Sequence, residues 1–195
     1  MKTSNPHFIV GIGGSAGGLA AYMAFLEALP ANTGMAFVIV SHMYPASQSL
    51  LGALLARHTK MPVLMASLGM PIKPNHVYVC PPNTDLWIED LAFALVSPRT
   101  INKQIDLFLT SLAEAMGARS VGIIFSGYDG DGTEGCRQIK ANGGTTFAQD
   151  SSAEISSMPR SAQASGCVDF VLPPEKIPAE LKKLRALAPK RNRSR

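Results

Sequence analysis

The chain lacks the marks of several large protein classes. None of its 195 residues belong to an apolar run approaching the ~18 needed to span a bilayer, so no membrane insertion is expected. Met1 to Gly11 holds too short an apolar stretch for a secretory leader. Cysteine is scarce: Cys80, Cys136 and Cys167 are scattered, odd in number and without C-x-x-C spacing. That pattern argues for free thiols in a reducing, cytoplasmic compartment and against a zinc site. Internal repeats and low-complexity segments are absent as well, which leaves a single globular domain with one sizeable core as the expectation.

Positive charge is also scarce once it is located. The net charge of +4 comes from Lys182, Lys183, Arg185, Lys190, Arg191, Arg193 and Arg195; the rest of the chain carries 11 basic residues against 14 acidic ones. The basic pI therefore reports a tail, read here as a solvated terminus over residues 188–195 following a domain over 1–187. No nucleic-acid partner is expected from it, and a weak attachment to anionic lipid or nucleic acid would be lost on truncation after Leu187.

What is present is glycine at one strand end. Phe8 to Gly18 is a short apolar run ending in glycines around Ser15, the pattern of a strand, a tight turn and a helix whose N–H donors face the turn. Gly13-Gly14-Ser15-Ala16-Gly17 fits a G-x-S-x-G nucleophile turn. Gly11 to Ala16 fits a G-x-G-x-x-[GA] dinucleotide fingerprint equally well. Beside both stands the bland reading that any tight α/β turn favours glycine. A dinucleotide site wants an acid about 20 residues on, to hold the ribose. The chain has none between Glu27 and Asp85; the second strand, Met35 to Ser41, ends instead at His42. A histidine there can serve Ser15 as general base, because parallel strand ends converge on one crevice.

Strand-like and helix-like segments alternate along the body, as in a doubly wound, mostly parallel sheet covered on both faces, a Rossmann-like three-layer α/β fold. Helices are predicted over Leu19–Leu29, Gln48–His58 (capped by Ser47 or Ser49), Gln104–Met116, Thr133–Ala141 and Pro174–Leu187. Further strands are predicted over Pro62–Ala66, Val121–Phe125, Thr145–Ala148 and Cys167–Leu172. His58 reads as a helix-end polar residue. Between Gly69 and Pro98, prolines punctuate the short apolar runs His76–Cys80, Leu86–Ile88 and Phe93–Val96, which predicts a small antiparallel insertion or sheet edge around residues 70–98.

The strand Val121–Phe125 feeds a second glycine-rich turn, Ser126-Gly127-Tyr128-Asp129-Gly130-Asp131-Gly132. Either Asp129 or Asp131 can orient and stabilise the imidazole. Both can instead cap the next helix; as a metal pair they lack the graded oxygen ligands of a calcium loop.

Taken together, Phe8 to about Leu184 resembles the catalytic domain of the chemotaxis protein-glutamate methylesterase (CheB) family. The resemblance rests on Val10 to Gly18, Val40-Ser41-His42-Met43, His76 to Pro82, Ser126 to Gly132, and Gln149-Asp150 followed by Met158-Pro159-Arg160-Ser161-Ala162. It implies Ser15 as nucleophile, His42 as base and Asp131 as the triad acid, acting on glutamate methyl esters of methyl-accepting chemotaxis receptors. Deamidation of glutamine is the implied second activity, and no cofactor or metal is required. Departures from the family pattern are Asp129 and Gly130, where glycine and then Asn or Ser are more common, Ala16 in place of a hydroxyl residue, and Cys80. Asp129 adds negative charge near the site and enters positive φ easily. Members of the family commonly carry an N-terminal receiver domain, whereas Met1 to His7 precede the first strand here, and the expectation is an open esterase, a fragment, or a relative of the module fused to methyltransferase and sensor domains. A catalytically idle module of the same fold, binding receptor helices or a partner enzyme, is the competing reading, and a nucleotide-binding protein the third.

Overall fold

The computed structural model describes residues 5–42, 45–100 and 103–187, with the side chains of 45–49 and 187 left aside. Met43, the Ser47 or Ser49 cap and the basic tail fall outside this description. Among the described residues nine strands and six α-helices follow in the order β1 Ile9–Gly14, α1 Gly18–Ala28, β2 Ala36–Ser41, α2 Pro45–Leu55, β3 Val63–Met65, β4 His76–Val79, β5 Asp85–Glu89, β6 Ala92–Val96, α3 Gln104–Met116, β7 Ser120–Ile124, α4 Thr133–Ala141, β8 Thr145–Gln149, α5 Ser157–Ala164, β9 Phe170–Leu172 and α6 Ile177–Leu187.

Seven strands form one parallel sheet in the order β3-β4-β2-β1-β7-β8-β9, and β5 and β6 form a separate antiparallel ribbon. The inserted ribbon thus covers Asp85 to Val96. His76–Val79, expected in the insertion, instead joins the main sheet between β3 and β2, because its register pairs Val77 with Phe37 and Val63. The helix α5 was not legible, since Met158-Pro159 and two serines weaken any apolar period there. At the two ends of the sheet, β3 and β9 are only three residues long, with Leu64, Met65, Phe170 and Val171 exposed.

β1, β2 and β7 are buried throughout, as strands covered on both faces must be. Their side chains alternate between two apolar layers. Ile9, Val38 and Ile124 pack with α3, α4 and α5 residues such as Phe108, Leu109 and Cys136. Val10, Phe37 and Val121 pack with Phe25, Leu26 and Leu181 on the opposite face. Glycine in the strands is a packing device. A Cβ at Gly11 would stand 2.5 Å from Leu109 Cδ2 and one at Gly13 2.5 Å from Ile105 Cγ2, so their absence lets α3 lie directly on the sheet.

From β1 the chain moves outward to β2 on one side, and after β6 and α3 it returns to lie on the other side of β1 as β7. This is the switch point of a doubly wound sheet, where the crevice beyond the strand ends accepts ligands. Ser15 follows β1, His42 follows β2, and the turn carrying Asp131 follows β7.

Candidate functional site

Among the glycines of the first turn, only Gly17 adopts a left-handed φ, 73°, where it caps α1; Gly11, Gly13 and Gly14 are strand residues. A side chain at Gly17 would meet Ser126 Oγ at 2.6 Å and Glu154 Cβ at 2.8 Å. One at Gly127 would stand 2.9 Å from Ser15 Cβ and 2.8 Å from Met158 Cε. The two turns therefore touch through missing side chains. Ser15 N–H donates to the Ser126 carbonyl at 2.9 Å. The buried Ser126 hydroxyl donates to the Ala16 carbonyl and accepts Ile155 N–H, each at 2.9 Å, while Ser126 N–H donates to Gln149 Oε1 at 2.9 Å. Ser126 and Gln149 thus hold the turn that carries Ser15, a role that sequence reasoning left unassigned.

His42 and Asp131 meet: His42 Nε2 stands 2.7 Å from Asp131 Oδ2, with the ring one-fifth exposed and the carboxylate buried. Asp131 also sits at the N-terminus of α3. Its Oδ2 accepts Ile105 N–H at 3.0 Å, and its Oδ1 accepts Asp106 N–H and Gly132 N–H at 2.9 Å each. Burial alone would push this carboxyl up. The bonds from the His42 ring and from the Asp106 and Ile105 N–H groups outweigh it and hold the group below the usual carboxylate range. An ionised partner on Nε2 requires that nitrogen to carry the proton, which leaves Nδ1 as the nitrogen with a free electron pair.

Asp129, the other aspartate of this turn, does not reach the ring in this way. It is exposed, adopts φ 63°, and its Oδ1 accepts Asp131 N–H at 2.9 Å, fixing the turn from outside.

A third carboxylate, Asp106, lies behind Asp131. It is 8% exposed, its Oδ1 accepts Gly135 N–H of α4 at 2.9 Å, and its Oδ2 stands 3.6 Å from Lys103 Nζ. Burial pushes this carboxyl above its ordinary value; Gly135 N–H opposes that, the nearby Asp131 charge adds to it, and Lys103 offsets it in part. An acid in the first turn of an amphipathic helix reads as a surface group complementing the helix dipole, so nothing in the pattern marked it as buried.

Ser15 is half-buried, and its hydroxyl donates to the backbone carbonyl of His42 at 3.2 Å. The nucleophile candidate is therefore docked on the base candidate's own residue, at the main chain. Elsewhere His58 is a helix-end group as expected, its Nδ1 2.6 Å from Glu27 Oε1. Among the described residues no cluster of three or more His, Cys, Asp or Glu is arranged to hold a metal ion.

Comparison with known proteins identifies the family and the fold. The sequence model described as CheB methylesterase matches residues 10–181. A provisionally named protein-glutamate methylesterase/protein-glutamine glutaminase of Leptospira interrogans is 38% identical over 87% of this chain and 90% of its own length. The protein-glutamate methylesterase/protein-glutamine glutaminase of group 3 operon of Rhizobium meliloti is 36% identical over 88% of this chain, which spans 50% of that longer protein. The crystal structure of the Thermotoga maritima CheB methylesterase catalytic domain superposes with a TM-score of 0.85 at 32% identity, covering 93% of this chain and 99% of that one. With both turns and all of the sheet but Ile9 inside the matched region, the chain belongs to the CheB methylesterase family.

Proposed function

We propose that the chain hydrolyses γ-glutamyl methyl esters on chemotaxis receptors through Ser15, His42 and Asp131, and releases ammonia from glutamine at equivalent positions as a second activity. The 2.7 Å contact between His42 Nε2 and Asp131 Oδ2 carries the reading, because it sets the tautomer that leaves Nδ1 as the base. The relatives named as methylesterase/glutaminase supply the substrate class.

The reaction begins when the Ser15 hydroxyl leaves the His42 carbonyl and turns to Nδ1. His42 takes the proton, Oγ attacks the ester carbonyl, and the imidazolium so formed is stabilised by the Asp131 carboxylate. Collapse of the tetrahedral intermediate breaks the bond to methoxide, which takes the Nδ1 proton and departs as methanol. Water then gives a proton to Nδ1 and attacks the glutamyl ester of Ser15, returning the serine and a glutamate carboxylate. For the oxyanion, Ser15 N–H and Gly127 N–H are committed to the Ser126 and Ile155 carbonyls, so the donors are sought among Ala16, Gly17 and Tyr128. The reaction requires no cofactor, and its receptor substrates put the enzyme in the cytoplasm.

The test uses a receptor fragment carrying glutamate methyl esters and a fluorophosphonate probe. Wild type is expected to release methanol and to be labelled at Ser15. Ser15→Ala should do neither, and His42→Ala should lose the labelling. A wild-type protein that neither labels nor turns over would favour the idle binding module.

A further inference from the structure

Glu154 lies across the turn that carries Ser15. Its main chain is fixed through the next residue, Ile155, which donates its N–H to Ser126 Oγ at 2.9 Å and accepts Gly127 N–H at 3.0 Å. Its side chain folds over Gly17: a Cβ there would stand 2.8 Å from Glu154 Cβ and 3.1 Å from Cδ, the carboxyl carbon. The carboxyl group therefore rests beside Gly17, two residues after Ser15, at the start of a helix with no acid of its own in its first turn. Glu154 is exposed, and among the described residues no cation pairs with it. Arg160 of α5 pairs with no acid, Lys103 faces Asp106, and Arg137 faces Glu134. Asp129, in the other turn, is a second exposed carboxyl group without a cation partner among the described residues.

We propose that Glu154 is a specificity-determining residue of the hydrolytic site: its negative charge beside Gly17 disfavours the glutamate carboxylate relative to the neutral ester or amide, so that product leaves instead of occupying the site. The inference rests on the proposed hydrolysis. The net charge of the reacting groups decides where the repulsion acts. Ester, Ser15 hydroxyl and neutral His42 sum to zero. The tetrahedral intermediate does too, because its oxyanion is matched by the imidazolium that holds the serine proton. Once the product acid has given its proton to water and His42 is neutral again, a single negative charge is left. A carboxylate outside the reacting groups thus meets a neutral set, then a dipole, and only at the end a net like charge. Backbone N–H groups that receive an oxyanion also suit a carboxylate, and the N-terminus of α1 favours any anion. Glu154 offsets that attraction chiefly for the product.

The test measures binding of one receptor peptide in two forms, its single modifiable glutamate methyl-esterified or free, to Ser15→Ala protein, which consumes neither. A unit charge about 8 Å away at an effective dielectric of about 40 changes an equilibrium roughly fivefold. The ratio of the free-acid Kd to the ester Kd should therefore fall about three- to fivefold when Glu154→Gln is added at about 10 mM salt. With Glu154→Lys in its place the ratio should fall further, by about the same factor again. In about 0.5 M salt, where charges at that separation are screened, both variants should lie within about twofold of the parent ratio. A ratio unmoved at low salt overturns the inference, and so does one that moves equally at high salt, since a change of shape is not screened. Wild type that releases no methanol from the esterified peptide in a Ser15-dependent way overturns the proposed function instead, as does a peptide that binds in neither form. The two failures are thereby kept apart.

Discussion

Replacing Asp131 by Asn removes one charge and almost no volume, and the hydrogen bonds around it allow the outcome to be worked through. With the amide oxygen in the Oδ1 position, Asp106 and Gly132 keep their acceptor, and the NH2 group faces Ile105 N–H and the ring. With the amide reversed, Ile105 and the ring keep theirs, and two N–H groups lose an acceptor. The first arrangement strands one donor and the second strands two, so the first prevails. It also presents a donor to His42 Nε2, which forces the proton onto Nδ1, the nitrogen that the proposed hydrolysis needs free. A stranded buried N–H costs about 1–3 kcal/mol, roughly 4–8 °C in the unfolding midpoint for ~2 kcal/mol in a chain of this size. Holding the imidazole in the wrong tautomer costs about 10⁴-fold in kcat, or ~5 kcal/mol on the barrier. Single-turnover methanol release together with calorimetry measures both. Turnover of Asp131→Asn within tenfold of wild type at an unchanged midpoint would refute the tautomer argument.

Ser15→Ala gives up only a 3.2 Å bond to a main-chain carbonyl, so its stability should stay within ~1 kcal/mol of wild type in urea titration while turnover disappears. Gly132→Ala puts a Cβ 2.5 Å from Ile124 Cδ1 and 2.8 Å from Ile105 Cγ2 at φ 91°, and should cost about 2–4 kcal/mol and most of the activity by displacing Asp131. Ser126→Ala strands Ile155 N–H and frees the Ala16 carbonyl, for about 1–3 kcal/mol, with a fall in serine-probe labelling rate at Ser15 that outlasts any correction for unfolded protein. The depressed Asp131 carboxyl contributes stability that is complete above the unfolded value near 4 and is lost as pH falls through the lower folded value. Unfolding midpoints should therefore drop below about pH 4 more steeply in wild type than in Asp131→Asn.

The architecture was legible because parallel strands buried on both faces read as uninterrupted apolar runs, as β2 and β7 do. His76–Val79 was harder to place, since flanking prolines look alike at a sheet interior and in a hairpin and only the pairing with Phe37 distinguishes them. The glycines of Phe8 to Gly18 signal a tight turn and close approach, but that Gly11 and Gly13 make room for α3 is a fact about a helix almost a hundred residues away. At the site, Ser15, His42 and Asp131 could be named from strand ends and family resemblance. The choice of Nε2 over Nδ1, the docking of Ser15 on a carbonyl, and the burial of Asp106 depend on orientation and packing, which spacing does not encode. Ser126 carries no such signal, because one hydroxyl joining three segments leaves no periodic trace.

The brevity of β3 and β9 has a consequence for the molecule among its own kind. Leu64, Met65, Phe170 and Val171 would invite sheet-to-sheet pairing on a longer rim, but three residues offer a stranger too few main-chain bonds to repay docking. The parallel sheet thereby ends without recruiting neighbours at high concentration, even though both its borders are greasy.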